Sequence, residues 1–164
     1  MFIPLYDSNR LRHIRRQYVT EAIIAINVLV YLLTSLSGEG FSQAAAYGLG
    51  YIPSVVYNYA ILPPELEMVP VPFTYVTYAF LHGDIFHLLG NMLFLWVFGD
   101  NVEDALGHIR YTIFYFACII AGAVAHGMAM PYSQMPLIGA SGAVAGVVTA
   151  YLILHPRVKL WVLI

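Results

Sequence analysis

Four long apolar runs constrain the fold of this chain more than any other feature of its sequence. They cover about Val19 to Leu36, Ile85 to Gly99, Tyr111 to Met130 and Leu137 to His155. An α-helix needs about 20 apolar residues to cross a bilayer, and an open strand cannot satisfy its backbone polar groups there. Only 10% of the residues are charged, whereas a soluble domain carries about a quarter. The sequence therefore predicts an all-α, polytopic transmembrane helix bundle with about four complete spans.

The segments between these runs divide the chain into a head and a membrane domain. Residues 1–17 form a basic head, and residues 18–164 form the membrane domain. Asp84 is the predicted N-cap of the second run. Proline and tyrosine are frequent in loop one, which predicts short helices lying in the membrane interface. The predicted connections are loop one (Ser37 to about Pro72), a polar turn (Asp100 to Arg110), a short loop (Pro131 to Pro136) and the first turn of a fifth segment (Lys159 to Ile164).

The basic residues predict the orientation of the bundle. With four spans and a cytoplasmic N-terminus, all seven Lys and Arg residues fall on the cytoplasmic side. They are Arg10, Arg12, Arg15, Arg16, Arg110, Arg157 and Lys159. We therefore expect a multi-pass protein of the cell inner or plasma membrane. An alternative interpretation treats the basic head and the stretch from Ala22 to Leu33 as a signal peptide, but removing it would break this charge distribution.

Composition also excludes several functions. The net charge of −2 by itself says nothing about nucleic acid, but the sequence has no basic stripe, so we expect no nucleic-acid partner. The single cysteine, Cys118, lies inside an apolar run, so the sequence predicts neither a disulfide framework nor a thiolate metal site.

Two polar clusters interrupt the apolar runs, and polar groups in hydrocarbon are a functional-site hypothesis by default. One cluster contains His82, His87 and Asn91, and the other is Gly139-Ala140-Ser141-Gly142. His87 and Asn91 are four residues apart and share a helix face. Their side chains can donate hydrogen bonds to a developing oxyanion, as can the backbone N–H of a serine at a helix start. The structural alternative is that these residues only join helices together.

Taken together, the two clusters resemble the rhomboid intramembrane serine proteases. The resemblance includes the stretch from Asn91 to Asp104, Gly107 with Tyr111, and Pro63-Pro64-Glu65 in loop one. It implies that Ser141 is the nucleophile and that Asn91 and His87 line the oxyanion hole. It also implies a supporting role for His82, small bracketing residues at Gly139 and Gly142, and no metal or cofactor. Such enzymes cleave transmembrane segments of other membrane proteins within the lipid bilayer.

One departure from the family pattern matters for activity. The family's general base is a histidine on a later helix, and this chain ends before that helix. His155 is too far along its helix to reach Ser141, and His126 precedes the serine. Without that base, we expect this 164-residue chain to be inactive.

A ridge of small residues supports the idea of a missing partner. We expect missing C-terminal helices to pack on Gly142, Gly146 and Ala150, because small residues at four-residue spacing let helices approach closely. Two other functions stay open at this stage. One is a non-catalytic rhomboid-like protein that binds transmembrane helices, and the other is a channel or transporter module with a polar path.

Overall fold

The chain folds into a bundle of α-helices, which a computed structural model describes for residues 3–7, 11–158 and 160–163. The helices are α1 (Tyr18–Leu36), α2 (Glu39–Leu49), α3 (Pro53–Val56), α4 (Thr74–Thr77), α5 (Ile85–Leu106), α6 (His108–Ala129) and α7 (Ser141–Leu154). Two short strands, β1 (Ile3–Asp7) and β2 (Leu160–Leu163), accompany them. The predicted all-α transmembrane bundle is confirmed.

Three of the helices are long and apolar enough to cross a membrane. These are α1 with 19 residues and α5 and α6 with 22 residues each. The fourth apolar helix, α7, has 14 residues, which is fewer than the roughly 20 that a full crossing needs. It begins at Ser141 rather than at Leu137, because residues 137–140 form part of a loop that is held by loop one.

The predicted polar turn between the second and third apolar runs is wrong. Helix α5 continues through Asp100 to Leu106, and only Gly107, at a φ of 75°, separates it from α6. The polar residues remain helical because partners from the start of the chain satisfy them. Glu103 accepts hydrogen bonds from the backbone N–H groups of Val19 and Thr20. The last turn of α5 is therefore a buried anchor for α1 and not a loop.

The expected first turn of a fifth helix is also replaced, by a strand. Residues 160–163 are extended and pair antiparallel with residues 3–7, while Lys159 and Ile164 lie outside the described residues. A helix gains its hydrogen bonds only after a costly first turn. Four residues that lie beside an extended segment make backbone hydrogen bonds at lower cost by pairing with it as a strand.

Helix α5 lies at the centre of the bundle and contacts α1, α6 and α7. The largest buried side chains include five tyrosines, which fill the space between these helices and loop one. They are Tyr51, Tyr78, Tyr111, Tyr115 and Tyr151. Tyr51 lies in loop one and Tyr78 lies in the segment that leads from loop one to α5, so both segments are packed into the bundle.

The ridge of small residues on α7 faces α6, which corrects the expected role of Gly142, Gly146 and Ala150. An added Cβ at Gly142 would lie 3.3 Å from the Cα of Gly122, and one at Gly146 would collide with Cys118. Ala150 also packs against the core. The small residues therefore serve a helix contact inside this chain, and they do not indicate a partner that is missing.

Candidate active site

The start of α5 places His87 and Asn91. Asp84 is extended and its side-chain Oδ1 accepts a hydrogen bond of 2.9 Å from the backbone N–H of His87, which confirms the predicted N-cap. Such a cap satisfies one of the backbone donors that every helix leaves free in its first turn. His87 therefore lies in the first turn of α5, and Asn91 lies one turn later on the same face.

Loop one holds the segment that leads into Ser141. Tyr51 and Leu137 exchange two backbone hydrogen bonds of 3.1 and 2.8 Å, and the Gly139 N–H donates to the Tyr78 carbonyl at 2.9 Å. Gly139 has a φ of 112°, a conformation that favours glycine. As the first residue of α7, Ser141 has a backbone N–H with no intrahelical acceptor.

The segment before Ser141 is pressed against His87. An added Cβ at Gly139 would lie 2.5 Å from Cε1 and 2.6 Å from Nε2 of the His87 ring. Any side chain at this position would displace the imidazole, so Gly139 is needed for its conformation and for its small size. This contact joins the two polar clusters of the sequence, two residues before the serine.

An open groove of about 550 Å³ runs between α5 and α7. Its walls include three of the residues singled out from the sequence, His87, Asn91 and Ser141. The Ser141 side chain is exposed and that of Asn91 is 8% exposed. The remaining wall is mostly apolar or small, and comprises Phe86, Gly90, Phe94, Val144, Ala145, Val148 and Thr149. The structure therefore brings the predicted nucleophile and both predicted oxyanion donors to one open groove.

The amide of Asn91 is engaged with two acceptors. Its Nδ2 lies 3.2 Å from Nε2 of His82 and donates to the His87 carbonyl at 3.2 Å. Both distances are at the long end of the hydrogen-bond range. An oxyanion that enters the groove can therefore compete for one amide hydrogen, because a charged acceptor makes a bond roughly twice as strong.

His82 supports Asn91 from behind the groove. Its side chain is 7% exposed and its ring lies edge-on to that of His87, with 5.1 Å between centroids. Burial, together with the nearby His87, lowers the pKa of His82 to about 4. The ring is therefore neutral at physiological pH. With Nε2 accepting from Asn91, the ring hydrogen resides on Nδ1.

Other predicted residues are placed differently. Gly142 lies against α6 and not in the groove, although it directly follows Ser141. The sequence reasoning missed Tyr51 and Tyr78, whose backbone groups hold the serine loop. A tyrosine-rich loop signals membrane-interface packing, and nothing in its pattern identifies which carbonyl anchors a loop 60 residues away. Within the groove, the wall contains no histidine other than His87 among the described residues.

Comparison with known proteins agrees with this geometry. The rhomboid domain family model matches residues 71–164, a range that includes α5, α6, α7 and every site residue that the sequence predicted. The chain belongs to the rhomboid family. The expected resemblance is thus confirmed, and so is the assignment of the bundle as rhomboid-like.

Curated rhomboid proteins from distant organisms are similar to this chain. "Rhomboid protein 1, mitochondrial" of Saccharomyces cerevisiae is 29% identical over 142 residues, which is 80% of this chain and 38% of that protein. "Rhomboid protease GluP" of Bacillus subtilis is 31% identical over 133 residues, which is 81% of this chain and 24% of that protein. The human "Presenilin-associated rhomboid-like protein, mitochondrial" is 26% identical over 136 residues, or 82% of this chain and 32% of that protein.

The coverage of these matches limits which properties of the relatives can be assigned to this chain. The chain spans well under half the length of the curated relatives that it matches. The comparison with solved structures found no match. Rhomboid membership and the apolar helices establish a multi-pass membrane protein.

Proposed function

We propose that this rhomboid family member is an intramembrane serine endopeptidase that cleaves transmembrane segments of other membrane proteins. The observation that carries the proposal is the α5/α7 groove, where an exposed Ser141 at a helix start shares one cavity with His87 and Asn91. In this mechanism Ser141 Oγ attacks the scissile carbonyl. The developing oxyanion is held by the Ser141 N–H, by Asn91 and by His87.

The oxyanion hole forms only when Asn91 exchanges a partner. Both amide hydrogens of Asn91 are engaged in the free protein, one by His82 and one by the His87 carbonyl. We expect the bond to the His87 carbonyl to break, because a helical carbonyl keeps its backbone partner while an oxyanion offers a charged acceptor. His82 then keeps the amide plane oriented through the transition state.

The general base is a histidine delivered by a helix that packs in the α5/α7 groove. Ser141, Ala145 and Thr149 are exposed at four-residue spacing along α7, and they form an open path down the groove. Small side chains in such a row let a helix approach closely. This row replaces Gly142, Gly146 and Ala150 as the docking path that we propose for the helix that carries the base.

The direct test of the nucleophile is Ser141→Ala. In the protein expressed from its complete reading frame, this change should abolish both cleavage of a transmembrane substrate and labelling by a fluorophosphonate. Ser37→Ala, at the exposed end of α1, removes a hydroxyl outside the groove and should change neither. Undiminished cleavage by the Ser141→Ala protein would refute the mechanism.

The proposed orientation has a cytoplasmic N-terminus in the cell inner or plasma membrane, and the one-sided basic residues support it. Gln134 and Arg110 are both exposed. Gln134 lies beyond the C-terminal end of α6, and Arg110 lies in its first turn. Single cysteines at these positions, in a Cys118→Ser background, should react with an impermeant thiol reagent from opposite sides. Reaction of both from the outside would overturn the orientation and the number of spans.

A non-catalytic rhomboid-like protein that binds transmembrane helices is the second candidate. The engaged amide of Asn91 favours it, because both amide hydrogens already have acceptors. Such a protein would bind a transmembrane helix in the groove without cutting it. Crosslinking of a substrate helix to Thr149, combined with no fluorophosphonate labelling of Ser141, would support this function over the protease.

A further inference from the structure

The segment between α4 and α5 contacts both halves of the candidate site. The Tyr78 carbonyl accepts a hydrogen bond of 2.9 Å from the Gly139 N–H, which holds the loop that leads into Ser141. Four residues after Tyr78, the Nε2 of His82 lies 3.2 Å from the Asn91 amide. The position of this one segment therefore affects how far the nucleophile lies from the proposed oxyanion donors.

The Tyr78 side chain fixes this segment to α6. Tyr78 is 1% exposed, and its hydroxyl donates a hydrogen bond of 2.7 Å to the carbonyl of Ile119. That carbonyl lies in the middle of a 22-residue helix, where the backbone is held by the hydrogen bonds of the turns on either side. A buried hydroxyl without a partner costs free energy, so this bond keeps the ring in one position.

The same hydroxyl lies at the point where α6 and α7 cross. A Cβ added at Gly122 of α6 would lie 3.0 Å from the Tyr78 oxygen, and one added at Gly142 of α7 would lie 3.4 Å from it. Gly142 directly follows Ser141, so the hydroxyl packs against the first turn of the helix that carries the nucleophile. Tyr78 itself lies outside the wall of the α5/α7 groove, where a substrate would bind.

We propose that Tyr78 is a positioning residue that sets the distance between Ser141 and the oxyanion donors. The inference rests on the proposed protease function. The Tyr78 backbone holds the loop before the serine, and its side chain joins that loop to α6 and supports the start of α7. A misplacement of reacting groups by about 1 Å can cost about 10²-fold in rate, so Tyr78 acts on turnover and not on substrate binding.

The direct test is Tyr78→Phe in the protein from the complete reading frame. This change removes the hydrogen bond to Ile119 and keeps the ring and the backbone contacts. We expect kcat for a transmembrane substrate to fall about tenfold while KM stays within about twofold, because the groove wall is unchanged. The rate of fluorophosphonate labelling of Ser141 should fall together with kcat.

Two other buried tyrosines provide matched controls. The Tyr115 hydroxyl has no hydrogen-bond partner among the described residues, so Tyr115→Phe removes the same atom without losing a bond. The Tyr111 hydroxyl accepts from Thr20 at 3.3 Å beside the Glu103 end of α5, so Tyr111→Phe loses a buried bond away from the site. Both variants should keep kcat and the labelling rate per folded molecule.

Gly122→Ala is a second test, and it keeps the hydroxyl. Its methyl group would lie 3.0 Å from the Tyr78 oxygen and 3.3 Å from the Gly142 Cα, so it should displace the ring and lower kcat without changing KM. Because Tyr78→Phe makes room for the methyl, the double variant should lose less kcat than the product of the two single losses. That difference measures the part of the effect that passes through Tyr78.

Four results would overturn the inference. They are an unchanged kcat in folded Tyr78→Phe, an equal loss of kcat in Tyr111→Phe, a loss confined to KM, and full additivity of the Tyr78 and Gly122 changes. A starting protein in which Ser141 is never labelled contradicts instead the proposed protease function. The two failures are therefore distinguishable.

Discussion

The two ends of α5 carry polar residues in opposite circumstances. At one end, the carboxylate of Glu103 is fully buried and accepts from Val19, from Thr20 and from the imidazole of His108. At the other end, His87 and Asn91 line an open groove, and the Asn91 hydrogen bonds are both 3.2 Å long. Short, saturated contacts hold the fold at the first end, whereas long, exchangeable contacts leave the second end available to a ligand.

Asp104, next to Glu103, strengthens this contrast. Its carboxylate accepts from the backbone N–H groups of Arg12, His13 and Ile14 at 2.6 to 2.9 Å. Three donors from one segment satisfy a carboxylate that the apolar bundle would otherwise expel. Backbone partners therefore give a structural explanation for a buried charge on α5. A functional explanation is needed only for polar residues that have few such partners.

The largest expected effect is at the groove end. Asn91→Ala should lower turnover of a transmembrane substrate by about 10²–10³, or about 2.7–4 kcal/mol, because one oxyanion donor is lost. Its melting temperature in mild detergent should change little, since its two hydrogen bonds are long. Asn27→Ala is the matched control. Asn27 is buried on α1 and also donates to the carbonyl four residues earlier, and its loss should leave turnover per folded molecule unchanged.

The opposite pattern is expected at the anchored end. Glu103→Ala should lower the free energy of unfolding by about 2–3 kcal/mol, because it leaves the first donors of α1 without acceptors. Turnover per folded molecule should be retained. Glu21→Ala removes an exposed carboxylate paired with Arg16 and should cost less than about 1 kcal/mol. Equal destabilisation by the two changes would show that the buried anchor has no special role.

Much of the fold follows from the sequence alone. The apolar run from Val19 to Leu36 predicts α1 within one residue, and Asp84 predicts the start of α5. These succeed because a membrane helix and its cap are local features. The extension of α5 through Glu103 could not be predicted in the same way, since its partners lie 83 to 84 residues earlier in the chain.

In the candidate site, too, local features follow from the sequence and contacts between helices do not. Four-residue spacing places His87 and Asn91 on one face, and the family resemblance adds Ser141 to them. The spacing of Gly142 and Gly146 correctly indicates a close helix contact but cannot identify the neighbour, which is α6. Which residues touch across a bundle depends on how the helices are arranged, and a single helix pattern does not contain that information.

The smallest expected effect is at His82, which lies beside the groove end of α5, and it depends on pH. Burial and the neighbouring His87 lower the pKa of His82 to about 4, whereas an unfolded histidine titrates near 6.5. Between these values the unfolded chain binds the additional proton, so the free energy of unfolding should fall as pH drops from about 6.5 toward 4. After allowance for solvent screening, His82 contributes about 1 kcal/mol to the free energy of unfolding.

His82→Gln keeps a polar group beside Asn91 that does not titrate. Thermal unfolding of both proteins from pH 7 to 4 separates the contribution of His82 from that of the other histidines. A difference between the two proteins that stays constant with pH would show that His82 is solvated in the folded state and that burial does not shift its titration.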